Sequence, residues 1–146
     1  MKTEQLLISL YQNTSTALQS IADLKEKTDD KQFLSLLEAQ ESRYKSIKLD
    51  IEEVSAQEKV ELKDNNWFEK ARLWTSIQFS TMTNNSIRKL AEMMLLGTVM
   101  GTLQLYKDRV DYKGKNQKAI DLTLRLEETE EKNFNELKKY LRESHK

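Results

Sequence analysis

The chain contains no proline, and its glycines are confined to three positions, Gly97, Gly101 and Gly114. Proline and glycine are the residues that most disfavour a helix interior. A chain of 146 residues with so few of them can form long helices almost without interruption. The sequence therefore predicts an all-α protein, and its length suits a single domain, residues 1–146, with one hydrophobic core.

Apolar residues recur at spacings of three and four in two early segments, which is the pattern of one buried helix face. The first segment covers residues 3–27, and the second runs from Phe33 to about residue 57. Between them stand Thr28, Asp29 and Asp30, residue types that end one helix and cap the next. We expect an antiparallel helical hairpin over residues 3–57.

The same periodicity returns from Ser86 to about Tyr112 and again in a closing helix that ends near Glu143. Gly114 and Asn116 lie between these two segments. A glycine after a helix suits the left-handed cap position, and an asparagine can start the next helix. This pattern predicts a second hairpin over residues 86–143.

The two hairpins are separated by residues 58–85, which we interpret as a crossover that contains a shorter helix. Two hairpins joined by one long crossover are the connectivity of ferritin-like four-helix bundles. A plain up-and-down bundle with a fifth helix fits the same pattern.

A ferritin-like order raises the question of a di-iron site, which needs Glu-x-x-His pairs on two helices. The single histidine is His145, the penultimate residue, so neither pair exists. Carboxylates at the corresponding level are the remaining candidate metal ligands: Glu41, Glu92, Glu127 and Glu130. We expect these glutamates to be mostly solvated or to form intrahelical ion pairs, and we expect no metal or other cofactor.

Counting outward from the two turns places five polar residues at nearly the same height in the bundle: Thr14, Gln40, Glu41, Thr98 and Glu130. Such a layer can fix the register of the helices. The alternative is a small polar cavity that holds a ligand.

Two segments are candidate binding surfaces. Gly97 and Gly101 favour close packing of a neighbouring helix, and Met94 and Met100 beside them also suit a flexible pocket or peptide groove. In the connector, aromatic residues lie among lysines and arginines, and the aromatic ones are Trp67, Phe68 and Trp74. This composition suits a helix packed over the bundle, a dimer interface or a membrane surface.

Lysine plus arginine equals aspartate plus glutamate, at 24 each, which argues against nucleic-acid binding. Without cysteine there is no disulfide and no thiolate nucleophile, and we expect a cytoplasmic protein. The longest apolar region, Leu90 to Tyr106, is shorter than the roughly 20 residues of a membrane span and predicts a core helix.

Neither a histidine base nor a glycine-rich phosphate loop accompanies the serines and threonines, so the sequence favours a noncatalytic protein. We expect a homodimer that binds a protein or a small ligand. The alternative is a degenerate ferritin-like metal-binding protein, or an oxidoreductase that uses carboxylates only.

Residues 91–101, AEMMLLGTVMG, and residues 130–141, EEKNFNELKKYL, resemble segments of small ferritin-like helical proteins of Gram-positive bacteria. The resemblance implies a ferritin-like four-helix bundle and no assigned activity.

Overall fold

The computed structural model of this protein describes residues 1–63, 69, 73, 76 and 86–144. These residues form four helices and no strand: α1 (Thr3–Lys27), α2 (Lys31–Gln57), α3 (Ile87–Asp111) and α4 (Gln117–Ser144). The prediction of an all-α four-helix bundle is confirmed. Trp67, Phe68 and Trp74, the aromatic residues of the predicted connector helix, lie outside the described residues.

Three helices begin at short polar side chains that accept a hydrogen bond from a free backbone N–H of the first turn. The Asp30 carboxylate accepts from the N–H of Phe33 at 2.7 Å, and the Ser86 hydroxyl accepts from that of Lys89 at 3.3 Å. The Asn116 side chain accepts from the N–H of Ala119 at 3.0 Å and so starts α4, as the sequence predicts.

The end of α2 is closed by a residue in the left-handed region. Lys59 has a φ of 57°, its N–H bonds the Ala56 carbonyl at 3.2 Å, and the N–H of Val60 bonds the Ser55 carbonyl at 2.8 Å. These two bonds make a Schellman motif. Its left-handed position is occupied by lysine where glycine is the usual residue, which explains why the sequence carries no clear stop signal there.

Gly114 does not adopt a positive φ, so the predicted left-handed glycine cap is wrong. The reason for glycine is space. A Cβ atom at this position would lie 2.4 Å from the hydroxyl oxygen of Tyr112. That hydroxyl also accepts a hydrogen bond from the N–H of Asn116 at 3.2 Å and contacts the Thr3 hydroxyl at 2.7 Å. Gly114 thus lets the tyrosine ring tie the turn to the start of α1.

Contacts between the hairpins fix the directions of the helices. Near its start α1 meets the end of α3, where the Ser9 hydroxyl donates to Asp108 at 2.6 Å. At its end α2 meets the start of α4, where Lys118 donates to the Gln57 side chain at 2.8 Å. Since α2 and α3 both run antiparallel to α1, they run in the same direction. The end of α2 and the start of α3 therefore lie at opposite ends of the bundle.

The core lies along the shared axis of these helices. The stripes predicted on α1, α2 and α4 are buried in it, and the rings of Phe33 and Tyr140 stack with centroids 5.3 Å apart. Among the described residues, no helix is long and apolar enough to cross a membrane.

Candidate functional site

A layer of polar side chains crosses the core at mid-height. Four of the residues that the sequence places there, Thr14, Gln40, Thr98 and Glu130, have exposures between 0 % and 4 %. The prediction of a polar layer is confirmed for these four. Glu41 lies outside the layer, because its partly exposed carboxylate faces Lys25 and Lys45, each at 3.5 Å. Among the described residues, the buried polar layer also includes three residues that the sequence pattern does not indicate for it: Asn13, Tyr44 and Asn133.

Glu130 is the acidic member of the buried polar layer. One of its carboxylate oxygens, Oε2, accepts a hydrogen bond of 2.9 Å from the Tyr44 hydroxyl. Burial raises the pKa of Glu130 to about 8, although the bond from Tyr44 lowers it. Burial, and then the nearby Glu130, raise the pKa of Tyr44 well above its usual range. At neutral pH the two residues therefore form an uncharged, hydrogen-bonded pair.

Beside this pair, Gly101 makes room for a second polar contact. The Asn13 amide donates to the Gly101 carbonyl at 3.0 Å. A Cβ atom at position 101 would lie 3.0 Å from Asn13 Oδ1 and 3.6 Å from Glu130 Oε1. The glycine thus accommodates the Asn13 side chain of α1, whereas the distance to Glu130 is an ordinary van der Waals contact. The expectation of close helix packing at both glycines is wrong for Gly97, where a Cβ atom would have no described neighbour within 4 Å.

On the other side of the layer, Gln40 and Asn133 link α2 to α4. The Gln40 amide donates to the Asn133 backbone carbonyl at 3.3 Å, and Arg43 donates to Asn133 Oδ1 at 2.7 Å. The Arg43 guanidinium also holds Glu136 through two hydrogen bonds. Gln40 Oε1 and Asn133 Nδ2 are buried without a partner in hydrogen-bond geometry among the described residues. Each such atom costs about 1–3 kcal/mol, so the layer lowers stability while it fixes the register of the helices.

The four candidate metal ligands do not converge. Glu41 pairs with lysines, Glu130 is buried against Tyr44, and the other two are held by arginines: Glu92 by Arg88 at 3.1 Å and Glu127 by Arg109 at 3.1 Å. No group of three or more histidine, cysteine, aspartate or glutamate residues is arranged to hold a metal ion in the described ranges. The arrangement that a carboxylate metal site needs is therefore not found in them.

The two methionines that the sequence proposed for a common binding surface lie on different faces of α3. Met94 belongs to the hydrophobic core, so its assignment to a surface is wrong. Met100 is exposed. The expectation that Leu90–Tyr106 is a core helix is correct for one face only, since Leu90, Ala91, Met94 and Leu105 are buried and the opposite face is not.

That opposite face carries six apolar side chains that are each 45–68 % exposed: Leu96, Val99, Met100, Leu103, Tyr106 and Val110. We call these residues the outer apolar stripe. Their spacing of three and four places them on one side of the helix, directly away from the core. The sequence signal for the stripe is the absence of any charged residue from Met93 to Tyr106. A helix that buries only one face ordinarily carries charged residues on the opposite face.

No known protein family, curated protein or solved structure matches this chain. The described structure offers two features beyond a plain bundle, namely the buried polar layer and the outer apolar stripe.

Proposed function

We propose that this chain is a noncatalytic, cytoplasmic interaction module, a helical bundle that binds a protein through the outer apolar stripe of α3. The observation that carries the proposal is the exposure of Leu96, Val99 and Leu103 at the centre of the stripe, each about half accessible to water. Contiguous apolar surface of this kind on a folded protein marks interaction sites.

The geometry of the stripe suits a partner helix. Apolar residues at alternating steps of three and four form the seam by which one helix packs on another. The stripe is also dispensable for the bundle, because α3 already buries Leu90, Met94 and Leu105 on its inner face. An exposed apolar seam that the core does not use supports a role in binding.

The chemistry of the interior supports a noncatalytic role. The acid in the buried polar layer, Glu130, is 1 % exposed and hydrogen-bonded to Tyr44, so it has no contact with solvent through which a substrate would arrive. The carboxylate-only metal protein is the alternative. It predicts stoichiometric iron or manganese in protein purified without chelator, whereas our proposal predicts far less than one equivalent.

Kinship with the small ferritin-like bundles of Gram-positive bacteria is part of this proposal. It is supported by the resemblance of residues 91–101 and 130–141, and the parallel directions of α2 and α3 are compatible with it. A bundle of this family that lacks the histidine ligands would keep the four-helix fold and bind a partner through its surface.

Site-specific photo-crosslinking in cells that make the protein tests the proposal. A photoreactive amino acid replaces Leu103 in the stripe or, as the matched control, the exposed Lys132 on α4. We expect a discrete protein adduct from position 103 and none from position 132. Absence of an adduct from position 103, or the same adducts from both positions, would contradict the proposed function.

A further inference from the structure

We propose that the outer apolar stripe is occupied by the same stripe of a second copy of this chain, with the two α3 helices antiparallel about a twofold axis beside Val99 and Met100. This inference rests on the proposed function and names its partner. In a twofold dimer each copy contributes the same patch, so a surface that is complementary to itself is required.

The stripe continues at the same spacing into charged residues at both ends. Lys89 and Glu92 precede the stripe on the same face of α3. Lys107 lies within the last turn of the stripe, and Asp111 follows that turn. All four are exposed. An apolar centre flanked by charges of both signs is the composition of a helix-to-helix seam, in which the charges select the orientation.

These charges distinguish the two possible orientations. In a parallel pair Lys89 would face Lys89 of the second copy, and Glu92 would face Glu92. In an antiparallel pair centred between Val99 and Met100, Glu92 lies opposite Lys107 of the second copy. The same centre places Lys89 opposite Val110 of the second copy, one residue from the carboxylate of Asp111. Like charges that face each other suppress the wrong arrangement, so the charge pattern selects the antiparallel pair.

Two further features fit this arrangement. Gly97 lies beside the stripe with open space around it in the described structure, which leaves room for a side chain of the second copy. Glu92 already pairs with Arg88 on its own helix, but both side chains are exposed. Such an exposed pair is weak and leaves the carboxylate able to bind Lys107 of the second copy as well.

The absence of cysteine allows the orientation to be tested with single-cysteine variants of the full chain. Glu92→Cys and Lys107→Cys chains are mixed at tens of micromolar and treated with a short bis-maleimide crosslinker. The antiparallel dimer predicts that the mixed product exceeds the two same-variant products at least severalfold. Leu49→Cys, on an exposed site of α2 outside the stripe, gives the background.

If the same-variant products predominate, the antiparallel orientation is overturned. If no crosslinked product is more abundant than that of the Leu49→Cys chain, the second copy is overturned as the occupant. The photo-crosslinking experiment separates these failures from a failure of the proposed function. An adduct at position 103 that contains a different protein keeps the proposed function and overturns this inference. Absence of any adduct overturns both.

Discussion

The Tyr44 hydroxyl donates a hydrogen bond of 2.9 Å to Glu130 in the middle of the bundle, where both side chains are about 1 % exposed. The pair joins α2 to α4 across the core. Because burial keeps the carboxyl protonated at neutral pH, the link is neutral, and its contribution to the free energy of unfolding depends on pH. Most predictions for this interior follow from that dependence.

We expect the free energy of unfolding to fall as pH rises from about 4.5 to about 8. The unfolded chain loses the Glu130 proton near the ordinary pKa of 4.5, and the folded chain keeps it to about 8. Between these values the folded state binds more protons, so this contribution is complete below pH 4.5 and is lost as pH approaches 8. The slope is at most about 1.4 kcal/mol per pH unit.

Glu130→Gln isolates this effect, because it keeps the shape and an acceptor for Tyr44 but does not titrate. Urea unfolding across the range should show wild type and variant close at low pH, with the variant more stable by a few kcal/mol near pH 8. Asp108, whose pKa burial also raises, is unchanged in both chains. Parallel pH profiles for the two proteins would show that Glu130 is not the titrating group.

Tyr44→Phe should destabilise the bundle by about 1–3 kcal/mol, because it leaves a buried carboxyl without its donor. The bond from Tyr44 lowers the pKa of Glu130, so its removal should also raise that pKa further. Carbon-13 titration of the Glu130 carboxyl in both proteins measures the shift. An unchanged or lowered pKa of Glu130 in the variant would contradict the hydrogen bond.

Much of this interior could be predicted from the sequence. The bounds of α1 are those expected, since the stripe of α1 ends at three residues that disfavour a helix. The sequence places Gln40, Thr98 and Glu130 in one layer because they occupy core positions at equal distances from the turns. The bond between Tyr44 and Glu130 could not be predicted, since height along a helix does not determine which side chains meet.

The outer apolar stripe is not evident from the sequence for a different physical reason. A helix whose central segment is uncharged and apolar on two opposite faces has weak amphipathic periodicity and resembles a helix buried on all sides. Only the positions of α1 and α4 reveal which face of α3 is covered. The same limit applies to the glycines, because Gly97 and Gly101 are one turn apart but differ in what surrounds them.

Alanine substitutions at these two glycines should therefore have different effects. Both lie inside α3, where alanine favours the helix over glycine by about 1 kcal/mol. Gly97→Ala meets open space and should raise stability by up to that amount. Gly101→Ala places a methyl group 3.0 Å from Asn13 Oδ1 and should be less stable than Gly97→Ala by about 1 kcal/mol or more.

Urea unfolding of the two alanine variants beside wild type measures this difference. Equal stabilisation by both substitutions would show that the close approach of Asn13 to Gly101 has no energetic consequence.

The most direct test of a dimer formed through the outer apolar stripe is sedimentation equilibrium of wild type, Leu103→Glu and Leu49→Glu at tens of micromolar. Both leucines are exposed on helices, at 54 % and 66 %, but only Leu103 belongs to the stripe. We predict a dimer for wild type and Leu49→Glu, and a dissociation constant raised about 100-fold or more by Leu103→Glu, with unchanged helicity. A monomeric wild type, or equal dissociation constants for the two variants, would contradict this account.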